Sequence, residues 1–229
     1  MAVSTDSPRS GTGVELERGQ VAAACRDMFR RGWMPGTAGN VSVRVEGRVV
    51  ISASGRAKGT MSMRDTVAVS APDGLPLSGE SKRPSAETAI HLAVYQTVPE
   101  ADAVVHTHAP YSTALSAGIP VGGRAEFNQW ELAKGLGVRD HSHVAVPVFA
   151  NWADVPRIGR DVAAHLRDAG RNAPAVPALL ISRHGVTTWG RDLTEAVNRL
   201  ECVEMLCRLV LMTSGGRALP DGPESEEAP

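Results

Sequence analysis

Two histidines one residue apart, His106 and His108, end an apolar run that begins at Ala103. Because side chains alternate between the two faces of a strand, both imidazoles point the same way and can bind one metal ion together. A His-x-His pair alone is more often a polar strand end, so a metal site needs a third ligand and an acid or base nearby. His184 follows a second apolar run, residues 177–182, at a point from which a third ligand can reach the pair.

Other titratable residues have two interpretations each. His141 and His143 repeat the His-x-His pattern but follow a polar loop, so they rank below the first pair. Glu131 is either the partner of Asn128 in a capping box or a buried carboxylate delivered to the metal region. Glu87 falls in the first turn of a helix predicted to begin with Ser85 as N-cap, where a carboxylate suits the helix dipole.

Two segments have the composition of an anion-binding site. Ser54 and Gly55 form a small polar turn with Lys58 close behind, and hydroxyls, free N–H groups and an ammonium are what a phosphate monoester needs. The second segment is the predicted helix start at Ser85, next to Lys82 and Arg83. A plain surface turn and an ordinary helix start are the alternatives.

The elements that must position these residues alternate along the whole chain. We predict helices over residues 14–31, from 85, over 154–169 and from 192, where Asp192 and Glu195 form a capping box. The strands are predicted at residues 41–45, 49–51, 67–69, 103–108 and 177–182. This mixture favours one three-layer α/β domain over residues 14–212, with a flexible segment at 1–13 and a disordered tail at 213–229.

The composition narrows the class of partner and the compartment. Of 229 residues 42% are hydrophobic and 21% charged, and the net charge is -1, so no basic field indicates nucleic acid as a partner. No apolar stretch is long enough to span a bilayer, and the first dozen residues lack the apolar core of a secretory signal. Three cysteines without a C-x-x-C pair predict no disulfide framework. We therefore expect a cytoplasmic protein that acts on a small molecule.

The motifs together resemble the class II aldolase/adducin family over residues 14–212. They follow one another in the order and at the intervals typical of that family: Gly39-Asn40, Ser54-Gly55, Pro84-Ser85-Ala86-Glu87, Pro99-Glu100, His106-Thr107-His108 and His184-Gly185.

The resemblance implies a fold, an assembly and a cofactor. The fold is an α/β three-layer αβα sandwich with a mainly antiparallel central sheet, and the assembly is a homotetramer with active sites near subunit interfaces. His106, His108 and His184 match the ligands of one Zn²⁺ per subunit. The phosphate of a sugar phosphate would bind at positions that correspond to Asn40, Ser54, Gly55 and Ser85, with Lys58 and Lys134 close by.

The segment around Glu131, together with Asn151 and residues 188–190, resembles the dehydratase branch of the family. Zinc-dependent dehydration of a ketose 1-phosphate is therefore expected, with Glu131 as general acid/base. Glu87 matches the carboxylate that the aldolase branch uses, so retro-aldol cleavage or epimerisation of another sugar phosphate is the alternative. A non-catalytic scaffold like the adducin head is a third. Arg183 departs from the usual Gly-His-Gly around the third histidine.

Overall fold

The computed structural model describes residues 12–169 and 176–214, which form one eight-stranded sheet between two layers of helices. The helices are α1 (Thr12–Arg30), α2 (Thr88–Thr97), α3 (Pro110–Ala117), α4 (Val155–Ala169) and α5 (Leu193–Thr213). The strands are β1 (Asn40–Val45), β2 (Arg48–Ser52), β3 (Thr66–Ser70), β4 (Ala103–Thr107), β5 (Arg124–Asn128), β6 (His143–Phe149), β7 (Ala178–Ile181) and β8 (Gly185–Gly190).

Each face of the sheet has its own hydrophobic core. Helices α1, α3 and α5 cover one face, where Val41, Val105 and Leu200 are buried together. Helices α2 and α4 cover the other, where Val104 and Ile158 are buried. Alternate residues of β4 thus enter opposite cores, as strand geometry requires. The predicted αβα sandwich is confirmed.

The sheet is mainly antiparallel, also as predicted. The strand order is β3-β2-β1-β4-β8-β7-β6-β5, and the only parallel pair among the described strands is β6 with β7. Parallel neighbours need a crossover, and α4 supplies it. Because β1 and β8 both run antiparallel to β4, their first residues lie beside the last residues of β4: Asn40 is opposite His106, and Val186 is opposite Thr107.

Local signals account for most element boundaries. The β1–β2 turn contains Glu46 and Gly47, both with positive φ, as a tight hairpin turn of this kind requires. Asp192 caps α5, and its side chain accepts from the backbone N–H of Glu195 at 2.8 Å. The expectation that Ser85 caps a helix is wrong, since α2 begins at Thr88 and Glu87 occupies the N-cap position without capping it.

The structure describes only a few residues of the two predicted terminal segments, 1–13 and 213–229. The predicted flexible segment and disordered tail lie outside the described residues, except that Thr12 begins α1 and Thr213 ends α5. Of the helices in the described ranges, none combines the length and apolar character needed to cross a membrane.

Candidate metal centre

Four side chains converge at the end of β4. His106, His108, His184 and Glu87 each offer one ligand atom, and these four atoms lie within 4.8 Å of one another. The imidazole centroids are 4.6 to 5.2 Å apart and the rings are steeply inclined to one another. An Oε atom of Glu87 lies 2.7 Å from Nε2 of His184, and the other lies 3.6 Å from Nε2 of His106.

The sheet and α2 deliver these groups from distant parts of the sequence. His106 shares the face of Val104, which is the face that α2 covers, and Glu87 is the N-cap residue of that helix. His184 precedes β8, whose first residues lie beside the end of β4. Antiparallel pairing therefore brings together residues separated by more than seventy positions in the chain.

Gly185 allows the close approach between β4 and β8. A Cβ atom at this position would lie 2.0 Å from the carbonyl oxygen of Thr107, a backbone atom that cannot move aside without shifting β4.

Gly185→Ala should therefore lower the free energy of unfolding by about 1–3 kcal/mol or more, the usual range for overpacking. It should also weaken metal binding, since His184 would move away from His106. Urea unfolding and metal titration measure both effects. Gly118→Ala is the matched control, because its Cβ has room and its φ is −90°. An equal, small effect in both variants would contradict this account.

The chemistry of the donor set fits a divalent transition metal. Nδ1 of His106 is 2.9 Å from Oγ1 of Thr187, and Nδ1 of His184 donates to Oδ1 of Asn151 at 3.1 Å. Such partners of the outer nitrogens orient ligating imidazoles and leave Nε2 free for the ion. Nε2 of His106 is buried and has no hydrogen-bond partner in the described structure. A buried nitrogen of this kind requires a partner, and a metal ion would provide it.

The protonation states also favour a cation. Burial lowers the pKa of His106 to about 3, and burial followed by the electrostatic interaction with His184 lowers that of His108, so both rings are neutral at pH 7. Burial raises the pKa of Glu87, but the electrostatic interaction with the adjacent imidazoles of His106 and His184 and the hydrogen bond from Asn40 outweigh it and hold the pKa well below its usual range. Neutral imidazoles beside a carboxylate are the ligand forms that a divalent ion needs.

His91, on the face of α2 that contacts the sheet, is a further buried imidazole. Burial lowers its pKa from 6.5 to about 4, partly offset by the nearby charge of Glu87. The folded pKa lies below the unfolded one, so stability from neutral His91 is present above pH 6.5 and is lost as the pH falls toward 4.

Between pH 7 and pH 5, the titration of His91 should remove about 2 kcal/mol from the free energy of unfolding. His91→Gln should lack the part of this pH dependence that comes from His91, because all other titrating groups are the same in the variant and the wild type. Urea unfolding of the chelator-treated wild type and variant at the two pH values measures the difference. Identical pH dependence in the two would exclude His91 as its source.

The residues predicted to bind phosphate fall into two groups. Ser54 and Gly55 form an exposed turn next to Pro84, and Ser85 lies just beyond it, with its Oγ accepting from the N–H of Glu87. By contrast, Asn40 is 2% exposed and its amide contacts Glu87 and His91.

Lys58 is also only 2% exposed, and burial lowers its pKa. Its ammonium donates to the carbonyl oxygens of Thr37 and Arg56, at 2.9 and 3.2 Å. Lys58 thus joins the loop before β1 to the loop after β2, which contains the exposed Ser54–Gly55 turn.

Glu131 lies apart from the four-residue cluster. It begins a 3-10 helix, Glu131–Leu136, whose buried residues join the core on the α1, α3 and α5 side of the sheet. Its side chain is 81% exposed and pairs with Lys134 at 2.6 Å, and that hydrogen bond and charge lower the pKa of Glu131. Within one chain, the expectation of a buried carboxylate delivered to the metal region is therefore wrong.

Four other residues that the sequence singled out are not part of the four-residue cluster: Arg183, Trp189, His141 and His143. Arg183 is exposed and adopts φ of +56°, the left-handed conformation that glycine takes more easily. Trp189 is 3% exposed and lies in the core between the sheet and α2 and α4, toward the far end of β8 from His184. His141 and His143 do not join the cluster.

Sequence patterns could have revealed some residues that were overlooked. Thr187 lies on the same face of β8 as Trp189, and its contact with His106 depends on the strand pairing. His91 follows Glu87 by four positions, a spacing that places both on one face of a helix.

Comparison with known proteins agrees with this geometry. Residues 19–211 match the model of the class II aldolase and adducin N-terminal domain. The chain belongs to this family. Within it, methylthioribulose-1-phosphate dehydratase of Microcystis aeruginosa is 38% identical over 194 residues, which cover 83% of this chain and 93% of that protein.

A Nocardia farcinica protein, named as a probable bifunctional methylthioribose-1-phosphate isomerase/methylthioribulose-1-phosphate dehydratase, is 46% identical over 85% of this chain. The match spans only 35% of that longer relative.

Solved structures share the fold of this family member. YgbL from Klebsiella pneumoniae superimposes with a TM-score of 0.75 at 27% identity, covering 92% of this chain and 95% of its own. L-fuculose-1-phosphate aldolase from Thermus thermophilus does so with a TM-score of 0.68 at 26% identity, covering 90% and 99%.

Proposed function

We propose that this protein is a hydro-lyase that dehydrates 5-methylthioribulose 1-phosphate to 2,3-diketo-5-methylthiopentyl 1-phosphate, a step of methionine salvage. The observation that carries the proposal is the convergence of three imidazoles and Glu87 on one point. Relatives at 34–46% identity that bear the name of this dehydratase support the choice of reaction.

The proposed cofactor is one Zn²⁺ per subunit, held by His106, His108 and His184. Three imidazole ligands with a position open to substrate are typical of catalytic rather than structural zinc. When bound, the ion would supply Lewis acidity and stabilise the negative charge that develops on the substrate. Glu87 provides a fourth ligand atom that substrate oxygens could displace.

The protein side chains would handle the proton and the phosphate. Glu131 removes the proton from C3 and helps to protonate the C4 hydroxyl, which leaves as water; the resulting enol then ketonises to the diketone. Ser54, Gly55 and Ser85 are the proposed phosphate contacts, because Ser54 and Gly55 are exposed and Ser85 is half-buried, whereas Asn40 and Lys58 are buried. Lys58 supports their loop, and Lys134 keeps Glu131 ionised.

The exposure of Glu131 bears on the assembly. Because it lies on the opposite layer from the cluster of its own chain, we propose that it serves the active site of a second copy in a homotetramer. A cytoplasmic location is part of the same proposal and is supported by three cysteines that are all free thiols.

The test is direct identification of the product. Purified, zinc-loaded protein is incubated with methylthioribulose 1-phosphate, fuculose 1-phosphate and ribulose 5-phosphate in turn, and the products are identified by NMR. Diketone from the first substrate alone is the expected result. Cleavage or epimerisation of the others, with no diketone, would overturn the proposal in favour of an aldolase or epimerase, the alternative that the structural likeness to L-fuculose-1-phosphate aldolase keeps open.

A further inference from the structure

A row of buried polar groups runs from α2 to Glu87. The hydroxyl of Tyr95 is 2.7 Å from Oγ of Ser42, which is 2.6 Å from Nδ1 of His91. Nε2 of His91 is 2.5 Å from Oδ1 of Asn40, whose Nδ2 donates to Glu87. The other four members of the row, Tyr95, Ser42, His91 and Asn40, are each at most 5% exposed. His91 and Tyr95 are four apart on α2, and Asn40 and Ser42 are two apart on β1, so each pair shares one face.

The hydrogen bonds of this row can point in only one direction. An ionised Glu87 only accepts, so the amide of Asn40 must present its N–H₂ to Glu87 and its oxygen to His91. His91 then donates from Nε2, and because burial lowers its pKa to about 4, its Nδ1 is a bare acceptor. Ser42 must donate to that nitrogen, and Tyr95, whose pKa burial raises, donates to Ser42.

We propose that Tyr95, Ser42 and His91 are positioning residues that fix the amide orientation of Asn40 and thereby aim the carboxylate of Glu87 at Nε2 of His106 and His184. Without the row, the amide of Asn40 could turn over and place its oxygen against the carboxylate, where two acceptors repel. A fully connected polar row in a core rigidifies its members, which suits a carboxylate that must hold one geometry.

The first test observes the direction of the row without any enzyme assay. Histidine labelled with ¹⁵N reports the tautomer of each ring by NMR, and His91→Gln identifies the His91 signals. We expect a neutral ring with the proton on Nε2 at pH 7, in both zinc-loaded and chelator-treated protein. A proton on Nδ1, or a charged ring, would overturn the assignment.

The second test measures the effect on Glu87. His91→Leu should reduce Zn²⁺ affinity in chelator competition, or kcat at unchanged KM, by about 10- to 100-fold, the range for groups one contact beyond a ligand. His91→Gln, which keeps a donor and an acceptor, should restore part of the loss. Thr188→Val is the matched control, because it deletes a buried hydroxyl that donates to Ala196 on the other face of the sheet.

The control should lower the melting temperature and leave affinity and kcat unchanged. If His91→Leu retains wild-type affinity and kcat, the proposal is wrong. If His91→Leu does not fold, Ser42→Ala takes its place, and a loss no larger than that of Thr188→Val overturns the proposal. The measurement of kcat rests on the proposed function, whereas the His91 tautomer and the Zn²⁺ affinity do not depend on it. If the protein shows no dehydratase activity, the tautomer and the Zn²⁺ affinity still decide whether these residues position Glu87.

Discussion

Replacing His106 with Ala should abolish both metal binding and turnover. His106 is fully buried and its Nε2 has no hydrogen-bond partner among the described residues, which leaves that nitrogen available to the metal ion. Residues that merely orient a ligand contribute about 10- to 100-fold to affinity or activity, and loss of a ligand itself should exceed that range. Elemental analysis of the purified variant and steady-state rates with methylthioribulose 1-phosphate measure the two effects.

His165→Ala is the control for His106→Ala. His165 lies on α4, where its ring packs edge-on against Phe149, and it does not belong to the cluster. It should retain metal and activity. If His106→Ala bound metal with the stoichiometry of the wild type, the assignment of the ligands would be wrong.

Glu131→Gln should reduce kcat by about 10²- to 10⁴-fold, the usual contribution of a general acid/base, while the metal content stays that of the wild type. The metal should remain because Glu131 is exposed and contacts none of the ligands within its own chain. Glu87→Gln should instead lower metal affinity and activity together. Glu126→Gln, another exposed carboxylate nearby, is the control and should behave as the wild type.

Mixed assemblies then show which chain supplies Glu131. Assemblies made only of His106→Ala subunits or only of Glu131→Gln subunits should be inactive. In a mixed assembly, the His106→Ala subunit contributes an intact Glu131 and the Glu131→Gln subunit contributes an intact metal-binding cluster. If Glu131 acts across an interface, random mixing of equal amounts in a symmetric oligomer should restore about one quarter of the active sites. No recovery, after exchange of subunits is verified by mass spectrometry, would mean that Glu131 does not act in a neighbouring site.

Much of the fold follows from local patterns. The apolar run that begins at Ala103 predicts a strand, and the capping box at Asp192 predicts the start of α5. The predicted start of α2 at Ser85 is wrong, although serine is a favoured N-cap residue. The backbone carbonyl of Ser85 instead accepts from Thr88 at the turn before the helix, a tertiary arrangement that also leaves Glu87 free to face the histidines.

The sequence by itself indicated the three histidines, because their residue type and strand-end positions are local properties. It could not determine which carboxylate lies beside them. Glu87 and Glu131 both stand near predicted helix starts, and only the packing of α2 on the sheet puts Glu87 in the cluster, while the 3-10 helix of Glu131 packs on the opposite layer. The contacts of His91 with Asn40 and Ser42 also depend on that packing. A sequence pattern fixes which face of an element a side chain occupies, but the pairing of elements decides what that face meets.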